Sequence, residues 1–137
     1  MISIPPEVTR LIESEGARAY PNECCGILLG EAGESEDRAV TEALPAHNGF
    51  EAEERYHRFV IEPEDLRQAE KTAGERGLDV IGFYHSHPDH PAIPSGYDLE
   101  HAVPWYSYVI VAIAKGVPGD MTSWRLAPDR SKFIREL

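Results

Sequence analysis

The sequence predicts an α/β fold, a single domain spanning residues 1–137 with a curved, mixed β-sheet flanked by helices. Three observations support this class. Apolar runs of strand length are interleaved with two long segments of helical periodicity. A chain of 137 residues is long enough to bury one substantial core. No internal repeat or low-complexity linker divides the chain.

The first half of the chain predicts a strand, a helix and a hairpin. Residues 2–4 suit a short strand. Residues 5–16 predict the first helix, because a Pro-Pro pair suits its first turn and apolar residues follow at helical spacing. The apolar run 24–31 predicts a central strand, and residues 38–44 predict its hairpin partner across an acidic loop.

The second half predicts one long helix, one short helix and several strands. A strand is expected before the long helix, which starts at a proline, and a short helix ends before Pro104. The predicted ranges are strand 57–61, helix 63–76, strand 78–87, helix 95–103 and strands 106–114, 121–127 and 131–136. Pattern alone leaves the order of the strands in the sheet open.

A histidine pair lies at the end of a predicted buried strand. Side chains at positions i and i+2 of a strand point to the same face, so His85 and His87 can reach one ion. Three prolines between residues 88 and 94 then force a loop that can return Asp98 toward the imidazoles. Two histidines and one carboxylate leave the fourth position of a tetrahedral zinc open, as in catalytic sites. The sequence therefore predicts one catalytic zinc per chain.

The same residues also permit simpler interpretations. A single histidine in a strand is most often only a hydrogen-bonded polar residue. Ser95 and Asp98 have the spacing of a helix N-cap pair, a role that is compatible with metal binding. Ser86 lies between the histidines and is expected to face the other side of the strand, in a packing or hydrogen-bonding role.

These motifs resemble those of the JAMM metalloprotease family, also called MPN+ or Mov34/PAD-1. The resemblance covers nearly the whole chain. Its motifs are Pro21-Asn-Glu23-Cys24-Cys25-Gly26, then Asn48, Phe59-Val-Ile-Glu-Pro63, His85-Ser-His87 with Ser95 and Asp98, and the strand Tyr108–Ile113.

The resemblance implies a layered fold like that of cytidine deaminases, and a zinc metallopeptidase activity. It implies His85, His87 and Asp98 as zinc ligands, Glu23 as general base and Ser95 as the hydroxyl that stabilises the oxyanion. The implied reaction is hydrolysis of a peptide or isopeptide bond, often after the C-terminal Gly-Gly of a ubiquitin-like protein.

The length of the chain is similar to that of the compact bacterial branch, whose members act on small sulfur-carrier proteins with a ubiquitin-like fold. The intervals look too short for the insertions that grip ubiquitin chains. A substrate tail can add as a strand at a sheet edge, for which Asn48 and residues 56–61 are positional candidates.

Composition excludes some classes of partner. The net charge of −11 argues against nucleic-acid binding, which needs a basic surface. No apolar run approaches membrane-spanning length and no signal-peptide pattern is present, so a cytoplasmic enzyme without a membrane partner is expected. The adjacent residues Cys24 and Cys25 have no other cysteine to pair with, which fits a reducing compartment. The sequence leaves the oligomeric state open.

Two rival interpretations rest on the same residues. His85-x-His87-x-Asp89-His90 matches the motif of binuclear metallo-β-lactamase-type hydrolases. That architecture needs further histidine ligands downstream, and His101 is the only later histidine in this sequence. The second rival is a non-catalytic JAMM-like scaffold, which is disfavoured because every matched position is intact. Bound metal separates the scaffold from the enzyme.

Overall fold

The structure is a computed structural model, and it describes residues 1–33 and 37–137. Within these ranges, seven strands form a single sheet that carries three α-helices. The helices are α1 (Pro6–Ala19), α2 (Pro63–Glu75) and α3 (Gly96–His101). The strands are β1 (Ile2–Ser3), β2 (Cys25–Ala32), β3 (Arg38–Ala46), β4 (Asp79–Pro88), β5 (Ser107–Ala114), β6 (Val117–Leu126) and β7 (Phe133–Arg135).

The sheet is mixed, and β4 lies at its centre. The strand order is β1-β3-β2-β4-β5-β6-β7. Strand β4 is antiparallel to β2 and parallel to β5, and Cys25 of β2 stands opposite His85 of β4. The start of β2 therefore lies beside the end of β4, although some sixty residues separate them along the chain.

Two apolar cores cover the two faces of this sheet. Helix α1 packs on one face, where its Ile12 joins Leu28 in the core. Helix α2 packs on the other face through Ala69, with Ile27 and Leu29. Successive strand residues point to opposite faces, which explains why Leu28 and its two neighbours enter different cores. The predicted α/β class, a mixed sheet flanked by helices, is confirmed.

Gly26 shows how tightly the sheet and its α1-side core are packed. It pairs with Tyr84 across β2 and β4, and Tyr84 is fully buried. A Cβ atom at position 26 would lie 2.1 Å from Tyr84 Cε1, so no other residue fits without displacing that ring. The glycine of the sequence motif is thus a packing requirement.

Most predicted elements are confirmed, with shifted ends. Helix α1 continues to Ala19 and β6 begins at Val117, whereas α3 is shorter than the predicted range 95–103. The acidic loop expected before β3 falls partly outside the described residues. No helix in the described parts of the chain has the length and apolar character needed to cross a membrane.

The predicted strand 57–61 is wrong. Among the described residues, its only ladder contact is an isolated bridge between Ile61 and Asn48. The backbone of this segment is instead held by a side chain, because Asn48 hydrogen-bonds to Arg58 and Val60. Polar groups of the backbone that pair with a side-chain amide are not available for a neighbouring strand.

Candidate metal centre

The two histidines predicted as ligands meet at the end of β4. His85 and His87 are both buried, and their Nε2 atoms lie 3.1 Å apart. Ser86 between them is fully buried, and its Oγ accepts a hydrogen bond of 2.8 Å from the backbone N–H of Cys24. The alternation expected along this strand is therefore present, with a hydrogen-bonding role for Ser86.

Helix α3 delivers the carboxylate. Ser95 is its N-cap residue, and its Oγ accepts a hydrogen bond of 3.1 Å from the backbone N–H of Asp98. In return, Asp98 Oδ2 accepts a hydrogen bond of 2.9 Å from the backbone N–H of Ser95, which completes a capping box. The same Oδ2 lies 3.3 Å from His85 Nε2 and 3.1 Å from His87 Nε2. The loop thus returns Asp98 to the histidines, as predicted.

The three side chains fit a tetrahedral metal ion. Their ligand atoms all lie within 4.8 Å of one another. Two ligands bound to zinc at about 2.0–2.1 Å in tetrahedral geometry are separated by about 3.3 Å, close to the spacings observed here. His87 Nδ1 lies 2.9 Å from the carbonyl oxygen of Pro91, so Nδ1 carries the proton and Nε2 keeps its lone pair for a metal.

The protonation states of His85 and Asp98 also suit a metal. Burial lowers the pKa of His85, which favours the neutral imidazole that binds metals. Burial opposes ionisation of Asp98 as well, but the adjacent imidazoles of His85 and His87 and the hydrogen bond from the Ser95 backbone N–H hold the pKa of Asp98 well below its usual range. The carboxylate is therefore ionised and directed at the same point as the two nitrogens.

Glu23 lies beside this cluster without belonging to it. It precedes β2, is only 6% exposed, and faces a hollow of about 380 Å³ that His87 and Ser95 also line. Burial raises the pKa of Glu23 to about 8, against opposing effects of nearby positive groups. A carboxyl group with a pKa close to neutral pH can both accept and return a proton, as a general acid–base group must.

A second hollow opens on the other side of the cluster. It is a largely apolar cavity of about 280 Å³ that reaches His85 and Asp98. The Phe59 ring stacks on the His85 imidazole, with 4.5 Å between centroids. Tyr97 borders both hollows and carries the Arg58 guanidinium above its ring, 4.5 Å from the centroid. The sequence motifs gave no specific role to these three side chains, because each is recognisable only by what it packs against.

Two further expectations concern residues that lie outside the cluster. Asn48, a positional candidate for substrate contact, is buried, and its amide is occupied by hydrogen bonds within the protein. Asp89, part of the rival binuclear motif, accepts hydrogen bonds from the Tyr20 hydroxyl and the Lys115 backbone. Among the described residues, the group around His85 is the only cluster of three potential ligands. The binuclear interpretation therefore gains no second metal site.

A mixed sheet with two histidines and an aspartate converging at the end of its central strand has the design of a metal-dependent hydrolase. Residues 5–127 match the family described as prokaryotic homologs of the JAB domain. The chain belongs to this family, which confirms the JAMM resemblance and the enzyme class, a JAMM-type hydrolase.

Named relatives and a solved structure agree with this assignment. A desampylase of Haloferax volcanii is 41% identical over 98 residues, which cover 70% of this chain and 67% of the relative. A Thermus thermophilus protein named "Probable TtuB-protein conjugate cleaving protease" is 31% identical over 93 residues, covering 68% of this chain and 57% of the relative. A Desulfitobacterium hafniense protein whose solution structure is known is 28% identical in sequence. Its structure superposes with a TM-score of 0.86, over 99% of this chain and 90% of that protein's chain.

Proposed function

We propose that this protein is a zinc-dependent peptidase that hydrolyses the peptide or isopeptide bond after the C-terminal Gly-Gly of a ubiquitin-like sulfur-carrier protein. The observation that carries the proposal is the convergence of three potential ligands beside a buried, titratable Glu23. The names of the relatives, a desampylase and a conjugate-cleaving protease, support a protein conjugate as substrate. The cytoplasm is the proposed location, which the two free, buried cysteines support.

His85, His87 and Asp98 would hold one zinc ion per chain. When bound, zinc polarises the scissile carbonyl and lowers the pKa of water from about 15.7 toward about 7. The three side chains lie on two elements, the end of β4 and the start of α3, that are each fixed by hydrogen bonds of their own. Such support holds ligands in place before the ion arrives.

Glu23 would act as general base and then as general acid. It takes a proton from the attacking water and returns it to the departing amine nitrogen, so no net proton is lost. Both steps need a carboxyl group whose pKa is not far from neutral, and burial supplies that shift here. Because Glu23 borders the more polar hollow, the leaving amine is expected on that side of the metal centre.

Ser95 would stabilise the negative charge that develops on the carbonyl oxygen. A hydroxyl group can accept one hydrogen bond and donate another at the same time. Ser95 Oγ already accepts from the Asp98 backbone, which fixes its position and leaves its proton free to donate to the oxyanion.

The substrate path follows from the shape of the site. Glycines have no side chain, so a Gly-Gly tail can pass a narrow entrance to the metal without steric conflict. Around the two hollows, Val60 and Ile93 expose apolar side chains at the surface, 40% and 60% accessible. They would contact the globular part of a folded carrier, since exposed apolar groups near a site favour protein contact.

The test uses the zinc-loaded protein and a carrier from the same genome, joined through its terminal Gly-Gly to a peptide. Mass spectrometry should show release at the bond after the second glycine. A carrier ending in Ala-Ala is the matched control and should be cleaved far more slowly. Equal cleavage of both tails, or of unrelated peptides, would refute recognition of the tail.

The alternative to the proposed peptidase is a non-catalytic scaffold. It predicts that the protein binds the conjugate without holding zinc and never releases product. Complete ligand positions and a general-base candidate favour the enzyme, because a scaffold has no need of either.

A further inference from the structure

Asn48 makes an unusually complete set of hydrogen bonds for a single side chain. It is buried, and its Nδ2 donates to the carbonyl oxygens of Glu23 at 3.2 Å and Arg58 at 2.9 Å. Its Oδ1 accepts from the backbone N–H groups of Phe50 at 3.0 Å and Val60 at 3.3 Å. These four bonds use both donors of the amide and both lone pairs of its oxygen.

One end of this network holds the general-base candidate. The Glu23 carbonyl accepts from Asn48, and the Glu23 N–H donates to the carbonyl oxygen of Arg55 at 2.7 Å. Both backbone groups of Glu23 are therefore tied to the segment 48–61, which does not otherwise pair with β2. This segment therefore holds the backbone of Glu23 at both its N–H and its carbonyl group, and so limits where the carboxyl group can lie.

The other end supports a metal-ligand candidate. His87 has its Nδ1 oriented by the Pro91 carbonyl, but Nδ1 of the buried His85 has no hydrogen-bond partner among the residues that the structure describes. Ring stacking by Phe59 takes the place of that bond, at 4.5 Å and an interplanar angle of 24°. Phe59 lies between Arg58 and Val60, whose backbones both bond to the Asn48 side chain.

We propose that Asn48 is a positioning residue that fixes two parts of the metal centre together: the backbone of Glu23, and the Phe59 ring that orients His85. Asn48 touches neither metal nor substrate and acts through these neighbours. The inference rests on the proposed metal centre. A side chain that orients a ligand from behind is commonly worth about 10- to 100-fold in metal affinity or activity.

Only an amide satisfies all four partners. Aspartate has no donor for the two carbonyl groups, and leucine of similar size offers neither donor nor acceptor. A buried carbonyl or N–H group that loses its partner destabilises the fold, so the segment would rearrange to reach water. Glu23 would keep its N–H bond to Arg55 but lose the bond at its carbonyl, so Glu23 and Phe59 would be held less firmly relative to each other.

The experiment compares Asn48→Ala with Asn22→Ala, which changes the other asparagine of the chain, next to Glu23. Zinc affinity is measured by competition with a chromogenic chelator, and kcat and KM on the carrier conjugate. We expect Asn48→Ala to weaken zinc binding and lower kcat, each by about 10- to 100-fold, with KM changed by no more than about threefold. Asn22→Ala should stay within about twofold of the parent in all three.

A second pair keeps the test decisive if Asn48→Ala does not fold. Phe59→Leu removes the ring that stacks on His85, whereas Phe59→Tyr retains it. Phe59→Leu should weaken zinc binding about tenfold and alter the visible absorption of the cobalt(II)-substituted protein. Phe59→Tyr should keep both the zinc affinity and the absorption of the parent.

Unchanged zinc affinity and kcat in folded Asn48→Ala, or identical behaviour of the two Phe59 variants, would overturn the proposal. Zinc affinity and cobalt absorption need no substrate. A parent protein that binds zinc without cleaving the conjugate would therefore refute the proposed function and still leave the role of Asn48 decided by the metal measurements.

Discussion

Glu23 combines two properties that are rarely found together in a carboxyl group. It is buried, which disfavours its charge, and it borders a hollow that opens to the metal-ligand cluster. The positive groups nearest to it do not cancel the effect of burial on its pKa. An acid in this environment costs stability, and such groups are found mainly at functional sites, which supports the role proposed for Glu23.

The first prediction separates this chemistry from metal binding. Glu23→Gln keeps the size and hydrogen-bonding capacity of the side chain but removes the carboxylate that accepts a proton. Turnover of the conjugate should fall by roughly 10² to 10⁴, with zinc content unchanged in elemental analysis. Glu53→Gln, at an exposed position, is the control and should behave as the parent. Near-normal turnover of zinc-loaded Glu23→Gln would show that the base is another residue.

The second prediction concerns the pH dependence of stability in metal-free protein. The folded pKa of Glu23 is raised from 4.5 to about 8, so its contribution is fully present below the unfolded value and is lost as the pH rises toward 8. Stability measured by urea unfolding with a chelator present should therefore fall from pH 5 to pH 8 relative to Glu23→Gln, by about 1.4 kcal/mol per unit of pKa shift. Comparison with this variant removes the titration of groups that Glu23 does not influence, whereas the coupling between Glu23 and His87 is part of the effect measured. Parallel curves for the two proteins would contradict the shift.

At the scale of elements, α3 is short for an independent helix. It spans Gly96–His101, and helices of this length do not persist in water without other support. Its capping box supplies that support at the N-terminus, where unpaired N–H groups are exposed. The same cap orients Asp98, so secondary structure and site geometry depend on one set of hydrogen bonds.

The third prediction tests the double role of Ser95. Ser95→Ala removes both the capping oxygen and the proposed donor to the oxyanion. Turnover should fall on the order of 10² to 10³, and stability by about 1 kcal/mol, while zinc stays bound. Ser95→Gly keeps much of the cap preference but lacks the hydroxyl, so it should lose the same activity with a smaller loss of stability. Full activity in both variants would remove Ser95 from the mechanism.

Elements that follow local rules could be predicted from the sequence. The helix after Pro63 and the alternation around Ser86 depend on neighbours a few residues away, and both are confirmed. The segment 57–61 looked equally regular and was mispredicted, because its partner is the Asn48 side chain and not a strand. Nothing in the local sequence of residues 57–61 distinguishes those two partners.

At the scale of the whole molecule, the site exists because distant segments meet. The register that sets Cys25 opposite His85 brings Glu23 to the end of β4. Strand order depends on pairing between residues far apart in sequence, which no local pattern contains. The meeting of His85, His87 and Asp98 could be predicted from spacing within one strand and loop, whereas the placement of Glu23 came only through family resemblance.

The fourth prediction concerns metal content. Elemental analysis of the purified protein should give one zinc per chain, and His85→Ala, His87→Ala and Asp98→Ala should each lose it, because removal of one of three ligands leaves too few for tight binding. His101→Ala, a histidine outside the cluster, is the matched control and should retain zinc. Two equivalents of zinc in the parent, or retention in all three ligand variants, would support the binuclear alternative.

The oxygen that Asp98 shares between the helix cap and the ligand cluster has a thermodynamic consequence. A bound ion would hold this carboxylate in the position that caps α3, so occupancy and helix order must favour each other by equal free energies. The amide of Leu99 donates to the Ser95 carbonyl at 3.0 Å in the first turn of α3, so its protection reports whether the metal site is filled. Its hydrogen exchange would slow as zinc is added, and whatever unwinds this one helix would release the ion.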